Sequence, residues 1–296
     1  MNNLIIKDVP TKQKYSCEEI KNKVILGDAF EVLKKMDEGI VDMVFIDPPY
    51  FLQLGNKELR RWNANTIVEG VNDKWDKFSS FEEYDEFIRK LLMEVKRVMK
   101  PNATVWIIST YHSIFRIGKI MQDLGFWILN NVIWVKTNPM PNWLGVRFTN
   151  ATETLIWAVK DKKAKNYTFN KNYAKEFGVG NVGANVWTLP LCWGEERLKD
   201  KRGKKLHSTQ KPIELLKRVI LTSTKEGDLI LDPVAGTGTT GYVAKALNRN
   251  FIMIEINKKY VEGIAERFKY PLKIEDTPLL SKQRVNKYMK LEEIKK

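Results

Sequence analysis

At 296 residues with 43% hydrophobic content, the chain is long enough for a substantial core; a disordered or fibrous protein is excluded, and one elaborated α/β domain is expected rather than two equal ones. Fifty Lys and Arg against 36 Asp and Glu leave a net charge of +14, which favours a polyanionic partner, nucleic acid ahead of an anionic membrane, although a lysine-rich proteome would produce the same balance. Two cysteines (Cys17, Cys192) and two histidines (His112, His207) are too scattered for a metal site, no apolar run reaches membrane-spanning length, and Met1-Asn2-Asn3-Leu4 does not resemble a signal peptide, so a metal-free, membrane-free protein of a reducing cytoplasm is expected.

Residues 1–22 are polar and read as an arm or loop. Lys23–Asp28 reads as a short strand closing on Gly27-Asp28, followed by a helix from Ala29 to Met36, with Phe30, Leu33 and Met36 at helical spacing. The apolar run Val41–Ile46 is a buried strand that stops at Asp47-Pro48-Pro49-Tyr50. Residues 51–78 carry no sustained period, but contain Arg60-Arg61, Trp62 and Trp75, and a loop of this length is usually functional or disordered. An amphipathic helix spans Phe81–Met99, with Ser79 or Ser80 as its cap, and a strand spans Ala103–Ile108. Ile114–Leu124 reads as a helix, and Phe126–Val135 with Thr154–Val159 as a hairpin at the far edge of the sheet. From Lys160 to Gln210 periodicity is weak while lysines, asparagines and aromatics abound, which suits either a target-recognition insert or a solvated one. Helix Pro212–Ser223, strand Leu229–Leu231, helix Tyr242–Leu247, strand Phe251–Ile254 and helix Lys258–Phe268 complete the fold, followed by a basic tail, 269–296.

Two stretches carry chemistry. In the first, Pro48 and Pro49 fix φ and remove two backbone donors, leaving Asp47 at the carboxyl end of a strand, where open α/β sheets bind ligands. An acceptor beside the flat ring of Tyr50 suits an amine on a planar heterocycle, such as a flipped nucleobase; the plain alternative is a strand-ending turn. In the second, a strand ends at Asp232-Pro233 and runs through Val234-Ala235-Gly236-Thr237-Gly238-Thr239-Thr240-Gly241 into a helix. Gly236 and Gly238 permit a tight turn close to a ligand, with free helix amides behind them. Glu255 then ends the following strand, near the spacing of about 20 residues at which an acid meets ribose hydroxyls. Because Gly241 completes a three-glycine pattern, a dinucleotide remains an alternative on these residues alone, although the threonines suit an amino-acid moiety as much as a pyrophosphate.

Asp47-Pro48-Pro49-Tyr50 followed far downstream by Asp232-Pro233-x-x-Gly236-x-Gly238-Thr239-Thr240 resembles the amino-methylating DNA methyltransferases of the β arrangement, from about Val24 to Phe268. The resemblance is greatest to the cell-cycle-regulated and HinfI-like adenine methyltransferases of GANTC, through Phe51–Leu54, Asp123–Asn130, Lys136–Asn142, Pro190–Arg197 and His207–Pro212. It implies a circularly permuted Rossmann-like fold, a mostly parallel seven-stranded sheet with an antiparallel edge hairpin, and S-adenosyl-L-methionine as methyl donor. It implies Glu255 on the ribose, Asp28 on the adenine amine, Asp232, Pro233, Ala235, Gly236, Thr237, Gly238, Thr239 and Thr240 along the methionine, and Lys211 with Pro212 at its end.

The implied function is N6-methylation of a flipped adenine in double-stranded DNA by a 23–268 catalytic domain. Asp47 and the Pro48 carbonyl would accept from the amine, Pro49 would shape the turn and Tyr50 would stack. Candidate DNA contacts are Gln53, Arg60, Arg61 and Trp62 in the 51–78 loop, Asn138 and Arg147 between the late strands, and Arg197 in the 160–210 insert. A second copy of the chain and a cognate restriction endonuclease are candidate partners. The alternatives are N4-cytosine methylation on the same scaffold and a non-catalytic DNA-binding regulator. Two features depart from the family: Val234 stands where phenylalanine is usual, and little of the relatives' C-terminal DNA-binding domain follows Phe268, which leaves DNA grip to the tail, the two loops or dimerisation.

Overall fold

The structure is a computed structural model and describes residues 4–52, 59–61, 64–68, 74–142, 145–177 and 183–273. Its chain order is β1 (Ile5–Lys7), α1 (Cys17–Ile20), β2 (Lys23–Leu26), α2 (Ala29–Lys34), β3 (Val41–Ile46), β4 (Leu59–Arg61), β5 (Ala64–Val68), α3 (Phe81–Val98), β6 (Met99–Ser109), α4 (Ile114–Asp123), β7 (Trp127–Lys136), β8 (Thr152–Val159), α5 (Lys171–Phe177), β9 (Val186–Leu189), α6 (Ile213–Ser223), β10 (Leu229–Asp232), α7 (Thr239–Ala246), β11 (Asn250–Glu255) and α8 (Lys258–Arg267).

The main sheet has the order β1-β2-β11-β10-β3-β6-β8-β7-β9. The chain's last two strands, β10 and β11, lie between β2 and β3, the permutation implied by the sequence. Strand β8 pairs antiparallel with both β6 and β7, and the other pairings in this sheet are parallel. The seven expected strands form the centre, and β1 and β9 extend it at either end. The hairpin therefore sits one strand in from the edge, because β9 pairs with β7 in register Ile133↔Val186. Two segments read as irregular hold structure: residues 1–22 contain β1 and α1, and the 51–78 loop contains the antiparallel pair β4–β5. Elements of three to five residues are too short to leave a periodic signal.

Parallel strands buried on both faces read as continuous apolar runs, and these alternate between two cores. Val44, Ile46 and Leu231 face α2, α3 and α4 with Tyr84, Ile88 and Leu92. Met43, Phe45 and Ile230 face α6, α7 and α8 with Leu216, Val243 and Ile264. Helix α3 starts at Ser80, whose hydroxyl accepts from Glu83 N–H, while the Glu83 carboxylate accepts from the Ser79 N–H, a capping-box-like arrangement one residue upstream. Helix α7 begins three residues earlier than its apolar pattern suggests, because Gly238 at φ +68° forms its cap and Thr239-Thr240 its first turn. A Cβ on Gly238 would lie 2.8 Å from the Ile264 side chain, so α8 closes against the glycine turn.

Helix α6 is buried along its whole length after Ile213 and is pinned to the sheet by Trp106, whose Nε1 donates to Ser223 Oγ at 3.0 Å. Ser223→Ala leaves that indole N–H without its acceptor. It is expected to lower unfolding free energy by about 1–3 kcal/mol, read as a lower urea midpoint at unchanged slope.

Candidate active site

Strands β3 and β10 are parallel neighbours, with Leu231 opposite Val44, and the chain leaves them in opposite directions along the sheet. This is the topological switch point, where a crevice opens at the carboxyl ends of the strands. A cavity of about 580 Å³ lies there, lined by Asp28, Asp47, Tyr50, Trp75, Asp232, Gly236, Glu255 and others, and its size suits a small organic ligand. The two motifs singled out in the sequence thus share one site.

After β3 the backbone is held from three sides. Asp76, buried, accepts from the N–H groups of Tyr50 (2.6 Å), Phe51 (2.7 Å) and Leu52 (3.0 Å). Tyr84 of α3 donates to the Pro49 carbonyl at 2.8 Å. Phe51 adopts φ +50°, unusual for a residue with a Cβ, and its ring packs on Phe78, Phe81 and Tyr84.

Charge in the site alternates. Lys211 Nζ lies 2.7 Å from Asp47 Oδ2 and 3.9 Å from Glu153 Oε2, and Lys136 Nζ lies 3.0 Å from Glu153 Oε1. Glu153 Oε2 also accepts from the Tyr50 hydroxyl at 2.9 Å. Lys211 sits 5.1 Å from the Tyr50 ring centroid. The other Asp47 oxygen, Oδ1, is buried without a hydrogen-bond partner among the described residues. Burial pushes the Asp47 carboxyl above its ordinary range against the pull of the Lys211 ammonium. For Glu153 the two lysines outweigh burial and hold the carboxyl below its ordinary range.

On the other side of the cavity, Gly236 (φ +53°) and Gly238 occupy left-handed backbone. Glu255 accepts from Gly236 N–H at 2.8 Å and Asn257 N–H at 2.7 Å, and burial raises its pKa to about 7. Asp232 accepts from Thr240 Oγ1 at 2.5 Å and Val234 N–H at 3.2 Å, and burial raises it to about 7 as well. Asp28 caps α2 through Phe30 and Glu31 N–H while lining the cavity. Pro233, Ala235, Thr237, Thr239 and Thr240 also line it, and Pro212 precedes α6 as its N-cap.

Several residues missed by sequence reading belong to this site. Glu153, Lys136 and Asp76 brace the turn after β3, and a stack of Trp75 on His207 (5.4 Å), with Tyr260 beyond (4.8 Å), walls the cavity. No sequence signal marked Glu153, which precedes the apolar run read as a strand and joins β8 only in the structure. Lys211, which the resemblance assigns to the methionine end, lines the cavity with its ammonium against Asp47. Three expected DNA contacts are absent from the cavity lining. Asn138 Oδ1 accepts from Leu191 N–H at 2.7 Å, Arg197 donates to the Cys192 carbonyl at 2.6 Å, and exposed Arg147 donates to Tyr111 at 3.1 Å. Arg60 and Arg61 lie in β4 by their backbone, and Gln53 and Trp62 lie outside the described residues. Among the described residues no side-chain cluster could hold a metal ion, and no helix is long and apolar enough to cross a membrane.

The raised pKa of Asp232 has a signed consequence. Its folded value of about 7 exceeds the ordinary 3.8, so the wild type loses stability as pH rises from about 4 to 7, and the loss is complete above that. Asp232→Asn keeps the Val234 acceptor and can donate to Thr240 without the buried charge. Relative to wild type, this variant is expected to gain on the order of 1–4 kcal/mol between pH 5 and pH 8.5, measured by urea unfolding at the two pH values.

A family model described as DNA methylase matches residues 41–267. The chain is 49% identical over 256 residues to the Type II methyltransferase M.HinfI of Haemophilus influenzae, covering 86% of this chain and 70% of that protein. It is 47% identical over 250 residues to the Type II methyltransferase M2.DpnII of Streptococcus pneumoniae, covering 83% and 90%. Among solved structures, an M1.HpyAVI–SAM complex superposes with a TM-score of 0.60 at 28% identity, covering 83% of this chain and 98% of that one. The cytosine-N4-specific PvuII DNA methyltransferase shares the fold, with a TM-score of 0.65 at 19% identity over 85% and 86% of the two chains. The chain therefore belongs to the DNA methylase family and is an S-adenosyl-L-methionine-dependent DNA methyltransferase.

Proposed function

We propose that the chain methylates the N6 amine of a flipped adenine in double-stranded DNA, within GANTC. The carrying observation is the unpartnered, buried Oδ1 of Asp47 in the cavity that also holds the glycine turn. A purine amine is a poor nucleophile because its lone pair is delocalised into the ring. A carboxylate accepting its N–H, with the Pro48 carbonyl as second acceptor, favours a pyramidal nitrogen and localises the pair. Tyr50 offers one ring face to the base, since Lys211 covers the other, and such stacking contributes about 1–3 kcal/mol.

The residues present fit the methyl donor. Gly236 supplies left-handed backbone at the cavity wall, Gly238 lets α8 close behind the turn, and the two strand-end acids Asp28 and Glu255 flank the cavity as amine and ribose acceptors. When bound, S-adenosyl-L-methionine supplies an electrophilic methyl group. Asp232 orders the turn that lines the methionine side, and Trp75, His207 and Tyr260 wall the cavity.

Adenine is favoured over cytosine by Asp, rather than Ser, at position 47, a preference taken from the family resemblance. GANTC is supported by the extent of identity to M.HinfI. The 23–268 unit is the catalytic domain, and the 51–78 and 160–210 segments grip and read DNA in a cytoplasmic, nucleoid setting. A second copy of the chain adds DNA-binding surface, and a restriction endonuclease of the same specificity is the natural counterpart of such a methylase.

Two outcomes are expected. Asp47→Ala, folded and still binding S-adenosyl-L-methionine, should transfer methyl about 10²–10³-fold more slowly in a radiolabel assay; a wild-type rate removes Asp47 from the mechanism. Plasmid DNA treated with pure enzyme and read by methylation-sensitive sequencing should carry N6-methyladenine in GANTC. N4-methylcytosine, another site, or no label at all would each refute the corresponding part of the assignment.

A further inference from the structure

Two lysines, a glutamate and a phenol are buried together against the half-buried Asp47, and the chemistry of methyl transfer needs only one of the two carboxylates. Lys136, Glu153 and Lys211 have side chains no more than 8% exposed. Each comes from a different part of the fold: Lys136 ends β7, Glu153 begins β8, and Lys211 precedes α6. Such ions are costly to bury and are retained where each has a partner of opposite sign. The order Lys136–Glu153–Lys211–Asp47 satisfies that condition and terminates on the residue that accepts the substrate amine.

We propose that Lys136, Glu153 and Lys211 form a counter-charge chain that positions Asp47 and sets the pH below which it ceases to act as acceptor. Lys211 is then a positioning residue for catalysis, not a ligand of the methionine carboxylate, and Glu153 couples the same chain to Tyr50 through the phenol hydrogen bond. The inference rests on the reading of Asp47 as amine acceptor.

The chain predicts opposite effects for its two middle members. Without the Lys211 ammonium, Asp47 keeps its burial and loses its counter-ion, so it protonates at higher pH. Without the Glu153 charge, Asp47 loses a repulsive neighbour and Lys211 loses a competing partner, so Asp47 protonates at lower pH. The other groups facing Asp47 are the Tyr50 phenol and the Asp232 carboxyl, and Cys192 faces Lys211. Burial holds the phenol and the thiol protonated near neutrality. Asp232 titrates near pH 7 but is common to every variant, so it cannot reverse the order of the shifts.

The test is the pH dependence of single-turnover methyl transfer to duplex DNA, with S-adenosyl-L-methionine affinity measured separately by calorimetry. Relative to wild type, the acidic limb of Lys211→Met should move up by one pH unit or more and that of Glu153→Gln should move down. Lys211→Arg should restore the wild-type limb, and cofactor affinity should stay within about threefold throughout. Lys136→Met frees Glu153 to draw Lys211 from Asp47, so a smaller upward shift provides a second reading should Lys211→Met not fold. Limbs that do not move, or that move in the same direction for Lys211→Met and Glu153→Gln, overturn the proposal. So does a Lys211→Met enzyme whose defect is weakened cofactor binding at an unchanged limb, which would return Lys211 to the methionine. Absence of label transfer by the wild type itself would instead overturn the assignment of function.

Discussion

Everything in this site depends on β3 and β10 lying side by side while the chain departs from them in opposite directions. A parallel sheet puts all carboxyl ends on one side, and its crossover helices cover the two faces. At the reversal no helix can bridge the two strands, and the gap becomes the cavity. Asp47 and Asp232 occupy its two lips because each is the residue at which its strand stops. The permutation leaves this geometry intact: moving the cofactor-side strands to the end of the chain changes which residues are covalently continuous, not which strand ends are adjacent.

A cavity between two acids is electrostatically unstable unless cations accompany them. The two sides solve this differently. Asp232 and Glu255 are satisfied by backbone amides and a threonine hydroxyl, dipoles too weak to offset burial, so both titrate near neutrality. Glu153 is held by two lysine charges, whereas Asp47 meets Lys211 through Oδ2 alone, with burial still raising its carboxyl and Oδ1 unpartnered among the described residues. Removing one member of a buried ion pair is more damaging than removing both, which is why the lysines and carboxylates behave as a unit. The division suits the chemistry: the cofactor side must tolerate a cationic sulfonium, whereas the base side must present a carboxylate oxygen that is still ionised when a neutral base arrives.

The strands and their terminal acids were legible because a parallel strand leaves a continuous apolar run and a turn residue ends it. Val41–Ile46 into Asp47-Pro48 and Asn250–Glu255 needed no knowledge of the fold. The braces were not legible, because their partners are distant in sequence. Glu153 precedes the residues that look like a strand, Asp76 sits in a stretch without period, and their significance is visible only once β8 and the residues before α3 reach the catalytic turn. Arg197 and Asn138 illustrate the same point for loops: residue types that suit nucleic acid also bond loop backbone, here the Cys192 carbonyl and the Leu191 N–H, which the sequence does not reveal.

The turn after Asp47 explains why so much of the surrounding structure is committed to holding it. Pro48 and Pro49 restrict φ at two positions, and the chain must then bend back without a glycine, which places Phe51 at φ +50°. A residue with a Cβ in that region is strained by about 1–3 kcal/mol, and such strain persists only where the surroundings over-determine it. They do so here: Asp76 gathers three consecutive amides, Tyr84 holds the Pro49 carbonyl, and three aromatic rings enclose Phe51. The carboxylate of Asp76 therefore does for this turn what glycine does for the cofactor loop at Gly236 and Gly238. One half of the site reaches its conformation by removing a side chain, and the other by clamping one in place, which holds Asp47 and Tyr50 in a fixed arrangement before any ligand is present.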